Sequence, residues 1–231
     1  MEQNLQSKEN AVINSVCEKK GHMKYSCIIW DWNGTLLDDV SWCVDVINRM
    51  LARRKLNIFG EIADYHRVFS FPVIDYYKKI GFDFEKEPFE DLAVEYVEDY
   101  YSGKFKLHEN AEKILAEIHK RNIKQVILSA SEINYLKTQL SCFDIEKYFD
   151  EILGISDIYA GSKFEIGLEF MKRNKIESAL LVGDTEHDFE TAKRLGADCI
   201  LISNGHQSKE RLATLGVPVL DSISDVLGVS L

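Results

Sequence analysis

The sequence predicts an α/β protein: a doubly wound parallel sheet, Rossmann-like in its core, with an inserted all-helical cap domain. Three observations predict this fold. Short runs of nearly continuous hydrophobicity recur along the chain, helical patterns separate them, and one long stretch contains helical patterns only. Strands that helices cover on both faces carry such continuous apolar runs, whereas strands with one solvated face alternate. Strands alternating with helices imply right-handed crossovers and therefore a parallel sheet.

Six apolar runs are predicted to form the strands. The first, YSCIIWD, ends in Asp31 and is followed by a turn at Asn33-Gly34. Asn110 and Ser131 are predicted N-caps of two of the intervening helices, because their side chains can accept hydrogen bonds from the first N–H groups of a helix. The other predicted strands are Lys124–Ser129, Phe149–Gly154, Ala179–Asp184, Asp198–Ser203 and Val217–Leu220.

The stretch between Asp38 and Leu107 contains no convincing strand. Its apolar residues recur at helical spacing, as one amphipathic stripe requires. We therefore expect residues 39–103 to form an all-helical cap. The sheet core then comprises residues 23–38 and 104–231, and residues 1–22, which show no clear period, are assigned to an N-terminal extension.

The composition restricts the classes of function. The chain has 231 residues and a net charge of −10, which argues against sequence-independent binding of nucleic acid, since such binding needs a cationic surface. Its five cysteines are scattered without a CxxC motif, which is typical of a reducing compartment. No apolar run reaches the length of a membrane span. We expect a cytoplasmic protein with a small-molecule partner and neither a nucleic-acid nor a membrane partner; the pattern carries no signal of oligomeric state.

Ligands of an open parallel sheet bind at the carboxyl ends of its strands, so the residues at those ends are the candidate site. Carboxylates crowded together repel unless a cation lies among them, and oxygen ligands without a His or Cys cluster favour Mg²⁺. Hydroxyl groups, backbone N–H groups and a lysine can hold phosphate oxygens. An aspartate beside both is a plausible nucleophile that forms an aspartyl-phosphate. The residues are Asp31, Asn33 and Thr35 after the first strand, Ser129 at the second, Lys163 before the fourth, and Asp184 and Asp188 after it.

Four segments together resemble the motifs of the haloacid dehalogenase-like hydrolase superfamily, in the family's order. They are DWNGT (Asp31–Thr35), Ser129 at the end of an apolar strand, Lys163, and GDTEHD (Gly183–Asp188). The helical insert resembles the family's small cap, and the C-terminal half is most similar to the phosphoglycolate phosphatase branch. The resemblance implies Mg²⁺-dependent hydrolysis of a small phosphorylated metabolite.

The same resemblance implies a role for each matching residue. Asp31 resembles the nucleophile, and Lys163 the lysine that neutralises the phosphoryl group. Thr35, Ser129 and the adjacent Ala130 correspond to the phosphate-binding positions. Asp184, Asp188, Asp31 and the backbone carbonyl of Asn33 correspond to the metal ligands. His187, between Glu186 and Asp188, is interpreted as pointing outward.

Asn33 departs from the family pattern. Phosphatases of the family usually carry an aspartate there that acts as general acid and base, and an amide cannot exchange a proton. The loss of such a group costs about 10²–10⁴-fold in rate, so Asn33→Asp is expected to accelerate a phosphatase slowed in this way. The chain is then a slow phosphatase or one that uses another acid, a hydrolase of C–P bonds resembling phosphonoacetaldehyde hydrolase, or a phosphometabolite-binding protein with little turnover. The second alternative needs a cap lysine that forms a Schiff base, for which Lys55, Lys78 and Lys79 are candidates. The intact Asp184/Asp188 pair argues against a metal-independent dehalogenase.

Overall fold

One six-stranded parallel sheet forms the centre of the protein. The computed structural model describes residues 24–156 and 163–229, so the predicted extension at 1–22 lies outside the described residues. The strand order is β3-β2-β1-β4-β5-β6, and all the ladders are parallel. The predicted α/β fold is confirmed, and each of the six apolar runs overlaps a strand. The strands are β1 (Cys27–Trp30), β2 (Lys124–Glu132), β3 (Glu151–Ile155), β4 (Ala179–Gly183), β5 (Asp198–Ile202) and β6 (Val219–Leu220).

Helices cover both faces of this sheet, and four further helices follow β1 before the chain returns to it. The four are α1 (Val40–Arg53), α2 (Ile62–Val68), α3 (Val73–Lys79) and α4 (Phe89–Tyr101). The helices of the sheet layers are α5 (Ala111–Lys120), α6 (Ile133–Leu140), α7 (Phe164–Asn174), α8 (Glu186–Leu195) and α9 (Lys209–Leu212). No helix among residues 24–156 and 163–229 is both long and apolar enough to cross a bilayer.

Three clusters of buried apolar side chains hold the fold together. Two lie on opposite faces of the sheet, because successive residues of β1 point to opposite sides: Ile28 and Trp30 pack into one cluster, and Cys27 and Ile29 into the other. The third cluster is built from α1–α4. We propose these four helices as the cap, within the predicted boundaries 39–103.

Two connecting segments join this cap to the sheet, and they run side by side. The N–H of Asp38 donates to the carbonyl of Lys106 at 2.9 Å, and Leu37 bridges to Leu107 in antiparallel fashion. The cap therefore leaves and re-enters at the carboxyl end of β1, where the strand order reverses between β1 and β4. This is the place at which an open α/β sheet binds its ligands.

Neither of the two predicted N-cap hydrogen bonds forms in the structure. Ser131 is not the N-cap of α6: the carboxylate of Glu132 accepts from the N–H groups of Asn134 and Tyr135 instead, because β2 extends to Glu132. Asn110 does stand at the N-cap position of α5, but its φ is +66° and its side chain makes no capping hydrogen bond.

Candidate active site

Three buried carboxylates meet at the carboxyl edge of the sheet. Asp31 directly follows β1, Asp184 directly follows β4, and Asp188 lies in the first turn of α8. One oxygen of each carboxylate lies within 4.8 Å of the others. Asp188 is held by a capping box, in which its Oδ2 accepts from the N–H of Thr185 at 3.0 Å and from the Thr185 hydroxyl at 2.6 Å.

The electrostatics of this cluster call for a cation. Burial raises the pKa of Asp31 well above its usual range, and the charge of Asp188 adds to the increase. Burial likewise raises the pKa of Asp184 to about 6. For Asp188 burial acts in the same direction, but the charge of Lys163 and the hydrogen bonds lower its pKa. Two of the three carboxylates therefore resist ionisation, and a divalent cation among them would remove that resistance. A set of oxygen donors suits a hard cation such as Mg²⁺.

Lys163 supplies one positive charge to the cluster. Its side chain is 1% exposed, and its ammonium donates to Asp31 Oδ1 and, at 2.6 Å, to Asp188 Oδ1. Burial lowers the pKa of Lys163, but the two carboxylates outweigh burial and the net shift is upward. Lys163 is therefore a fixed cation that touches the candidate nucleophile.

The predicted phosphate-binding residues divide into two groups. Ser129 and Ala130 line a cavity in front of Asp31, and the Ser129 hydroxyl accepts from the N–H of Ser131 at 3.0 Å. Thr35 does not line this cavity: it is fully buried, and its hydroxyl donates to Asp184 Oδ1 at 2.8 Å. The side chain of Thr35 therefore orients a candidate metal ligand, and its predicted role as a direct phosphate contact has no support in this geometry.

Asn33 lies beside Asp31 with its amide group fully engaged. Nδ2 donates to Asp39 Oδ2 at 2.8 Å and to the hydroxyl of Tyr100 at 2.9 Å. Oδ1 accepts from the hydroxyl of Ser131 at 2.8 Å. The surroundings of Asn33 thus present a carboxylate to its NH₂ group, an arrangement that fits an amide and opposes a second carboxylate.

A buried ion pair next to Asn33 was missed by the sequence analysis. His206 Nε2 lies 3.3 Å from Asp39 Oδ1, its Nδ1 pairs with the Tyr65 hydroxyl at 2.8 Å, and its backbone N–H donates to Asp184 Oδ2 at 2.6 Å. Burial lowers the pKa of His206, but the charge and hydrogen bond of Asp39, with the charges of Asp184 and Asp31, together outweigh burial and raise the pKa to about 9. Burial raises the pKa of Asp39, but His206 and the hydrogen bonds lower it to about 2. The pair is therefore charged at neutral pH.

A sequence signal for His206 did exist. Its segment, Asn204-Gly205-His206, follows the end of β5, and the rule that ligands bind at strand ends applies there as well. The sequence signal for Asp39 is weaker, because the sequence alone does not show which of the neighbours Asp38 and Asp39 points towards the site. With Cys43, these two residues form a second group whose ligand atoms lie within 4.8 Å of one another, although hydrogen bonds already join all three.

A cavity of about 190 Å³ lies between the three carboxylates and the cap. On the cap side its lining is largely aromatic, with Tyr65, Phe69, Phe71, Tyr76, Tyr77, Phe89, Tyr96, Tyr100 and Tyr101. On the core side it is polar and includes Asp31, Asn33, Ser129, Lys163 and Asp188. The cavity therefore has a charged end and an apolar end.

His187 lines this cavity, so the interpretation that it points outward is wrong. Its imidazole stacks on Phe71 of the cap, with ring centroids 4.7 Å apart. Its Nε2 is buried and has no hydrogen-bond partner among the described residues. Neighbouring charges do not determine this orientation. The orientation is set by contact with Phe71, in the loop between α2 and α3. The sequence around His187 gives no sign of that contact.

The basic residues of the cap lie outside the cavity. Lys55, Lys78 and Lys79 are exposed, and none lines the cavity. Arg53 and Arg54 pair with carboxylates of α4 and of the segment before it. The Schiff-base alternative therefore lacks its cap lysine among the described residues.

Comparisons with known proteins indicate the family and the fold. The model of the haloacid dehalogenase-like hydrolase family matches residues 28–202. A phosphoglycolate phosphatase from Photorhabdus laumondii is 24% identical over 215 residues, which cover 87% of this chain and 90% of that protein. A haloacid dehalogenase-like family hydrolase from Streptococcus pneumoniae superposes with a TM-score of 0.76 at 16% identity, covering 90% of this chain and 99% of that one. CbbY from Rhodobacter sphaeroides, solved in complex with phosphate, gives a TM-score of 0.68 at 16% identity, covering 90% and 100%. At these identities the two structures show a shared fold.

Proposed function

Because the chain belongs to the haloacid dehalogenase-like hydrolase family and is similar to its phosphoglycolate phosphatases, we propose that it is a Mg²⁺-dependent phosphatase of small phosphomonoesters. Asp31 is the proposed nucleophile. One observation carries the proposal: a buried nucleophilic carboxylate, two further carboxylates and a buried lysine converge at one end of a cavity beneath the cap.

The reaction follows from the positions of these groups. An oxygen of Asp31 attacks phosphorus and the bond from phosphorus to the ester oxygen breaks, which leaves an aspartyl-phosphate and an alcohol. Water then attacks the phosphorus of this acyl phosphate and releases inorganic phosphate, so that Asp31 is regenerated. Lys163, in contact with Asp31, stabilises the charge that develops on the transferred oxygens. Ser129 and the backbone at Ala130, which line the cavity, would hold those oxygens.

The candidate metal site is Asp31, Asp184, Asp188 and the backbone carbonyl of Asn33. Bound Mg²⁺ would neutralise negative charge on the phosphoryl oxygens and on the carboxylates. Thr35 and the N–H of His206, which donate to the two oxygens of Asp184, fix the orientation of that ligand, as outer partners of metal ligands do.

Proton transfer is the step that Asn33 changes. An amide cannot protonate the leaving oxygen or deprotonate the attacking water, so the rate is expected to be about 10²–10⁴-fold below that of an enzyme with a carboxylate there. The second candidate function, a phosphometabolite-binding protein with little turnover, is favoured by this one residue and by the complete hydrogen bonding of its amide.

We also retain the prediction of a cytoplasmic location, which fits the free cysteines 27, 43, 142 and 199.

The test is phosphate release from a panel of small phosphomonoesters that includes 2-phosphoglycolate, with phosphonoacetaldehyde alongside, in Mg²⁺ and in EDTA. The phosphatase proposal expects Mg²⁺-dependent release from at least one phosphomonoester, and none from Asp31→Asn. A single turnover in H₂¹⁸O should place the label in phosphate, and repeated turnover should leave Asp31 unlabelled, because water attacks phosphorus. Release from phosphonoacetaldehyde alone would establish C–P hydrolysis. Binding of phosphate and Mg²⁺ without turnover would establish the binding protein.

A further inference from the structure

The distribution of charge in the cavity limits what the substrate can carry besides its phosphate. Lys163 is the sole lysine or arginine among the described residues that line the cavity, and it already contacts Asp31 and Asp188. His206 is paired with Asp39. The lining also includes Glu132, so no lysine or arginine of the described lining is free to receive a second anionic group.

A carboxylate or second phosphate on the substrate would therefore lose its hydrating water in the cavity without gaining a counter-charge. This cost would lower the affinity for such a substrate by several powers of ten. The metal site does not change this, because its ligands lie at the phosphate end of the cavity. The far end is lined by rings such as Phe69, Tyr77 and Phe89, which favour contact with an apolar group.

The size of the cavity gives an upper limit for that group. An apolar protein cavity of about 150 Å³ accommodates benzene, and this cavity measures about 190 Å³. A phosphoryl group and one ring together are therefore the most that this volume accommodates, and the alcohol is no bulkier than one aromatic ring.

One of the hydroxyl groups on the cap side of the cavity is buried and unpaired among the described residues. Tyr76 lines the cavity and is 2% exposed, and its hydroxyl has no hydrogen-bond partner among the described residues. Buried hydroxyl groups are normally paired, because leaving one unpaired is costly. An unpaired hydroxyl at the wall of a ligand cavity points to a polar atom on the ligand.

We propose that the substrate is the monophosphate ester of a small, ring-sized apolar alcohol, uncharged apart from its phosphate and carrying one hydrogen-bonding atom that meets Tyr76. This inference rests on the proposed phosphatase function and specifies its substrate class. It separates the chain from enzymes whose substrates carry a carboxylate beside the phosphate.

The experiment compares benzyl phosphate, the three pyridylmethyl phosphates and 2-phosphoglycolate by their kcat/KM in Mg²⁺. Their leaving alcohols have similar acidity, so differences in kcat/KM report the cavity rather than leaving-group reactivity. We expect benzyl phosphate to exceed 2-phosphoglycolate by about 10²-fold or more, and at least one pyridylmethyl ester to exceed benzyl phosphate. Equal or faster hydrolysis of 2-phosphoglycolate would overturn the inference and leave the phosphatase proposal intact.

Variants test the hydrogen bond separately. Tyr76→Phe keeps the ring and removes the hydroxyl, so the best pyridylmethyl ester should lose about 5–20-fold in kcat/KM while benzyl phosphate changes less than about twofold. Tyr148→Phe, outside the cavity lining, should change neither. Equal effects of Tyr76→Phe on both esters would refute the assigned contact.

The inference can also be tested if the protein hydrolyses nothing, an outcome that would refute the phosphatase proposal. Binding of benzylphosphonate and of phosphonoacetate is then measured by calorimetry in Mg²⁺. Tighter binding of benzylphosphonate by about 10²-fold supports the apolar cavity, whereas equal or tighter binding of phosphonoacetate overturns it.

Discussion

Replacing Asn33 with aspartate is the most direct test of the contacts around residue 33, because the sequence and the structure predict different effects of this substitution. From the family pattern, Asn33→Asp should restore an acid–base group. In the structure, the new carboxylate would replace an NH₂ group that lies 2.8 Å from Asp39 Oδ2. The variant would therefore bring two carboxylates into contact and would lose the hydrogen bonds donated by Nδ2.

The magnitude follows from two competing costs. If both carboxylates stay ionised, Coulomb repulsion at 2.8 Å with an effective dielectric constant of 20 is about 6 kcal/mol. Protonating an aspartate of ordinary pKa costs about 5 kcal/mol at pH 7.5 and about 1.5 kcal/mol at pH 5. Protonation is the cheaper route, so these values are upper limits, and the half-exposed position of residue 33 reduces them through solvent screening. The pKa of the introduced carboxyl is raised in the folded state, so the variant loses stability relative to the wild type as pH rises above about 4.

The assay is thermal unfolding of the metal-free protein in EDTA, at both pH values. We expect Asn33→Asp to lower the Tm by up to about 10–20 °C at pH 7.5 and by only about 3–6 °C at pH 5. The reciprocal double variant Asn33→Asp/Asp39→Asn restores the amide–carboxylate pair in reverse, but it also removes the carboxylate that pairs with His206, so it should recover only part of the loss at pH 7.5. The gain in rate of about 10²–10⁴-fold is therefore expected from the double variant. A single variant as stable as the wild type at pH 7.5, or a double variant no more stable than the single one, would refute the reasoning.

Three further expectations follow from the same contacts. Asp31→Asn should abolish phosphate release while leaving the metal-free protein at least as stable, because burial and Asp188 disfavour the charge of Asp31; a lower Tm would contradict this. Mg²⁺ at about 100 times its Kd should raise the Tm of the wild type by about 5–11 °C, and Asp184→Asn should remove this shift; an unchanged shift would place the metal elsewhere. Because the pKa of His206 is raised to about 9, the ion pair stabilises the fold fully below pH 6.5 and loses its contribution as pH rises through 9. The free energy of unfolding of the wild type should therefore fall by on the order of 3 kcal/mol over this pH range. His206→Gln should show no such fall.

Local properties of the chain made the sheet predictable. A strand such as Ala179–Gly183, buried along its whole length, appears in the sequence as an uninterrupted apolar run, whatever its neighbours are. Asp31 and Asp184 follow such runs directly, so the fold itself places them at one edge. No knowledge of side-chain contacts was needed to bring the two carboxylates together.

The positions that escaped prediction depend on contacts between distant parts of the chain. Thr35 resembles a phosphate-binding hydroxyl by position, but it bonds with Asp184, which is 149 residues away. Ser131 satisfies the local rule for an N-cap, yet its hydroxyl serves Asn33, 98 residues away. In both cases tertiary packing decides which partner the hydroxyl binds. Sequence spacing therefore predicts where the candidate site lies, but it does not predict which hydrogen-bond partners its side chains have.

The two charged groups of the site also explain how an asparagine can stand where the family usually has an acid. At the proposed phosphate end, three carboxylates face one lysine, so the proposed phosphatase would need a divalent cation before it could bind a phosphate dianion. Next to it, Asp39 and His206 neutralise each other and require no cation. Asn33 lies at the boundary and bonds to Asp39 with a neutral donor, so the charges of one group do not disturb the balance of the other. A carboxylate at residue 33 would add a negative charge to both groups at once. An amide at residue 33 therefore fits beside Asp39, whereas a carboxylate does not. Acid–base catalysis by residue 33 would require a change at Asp39 as well.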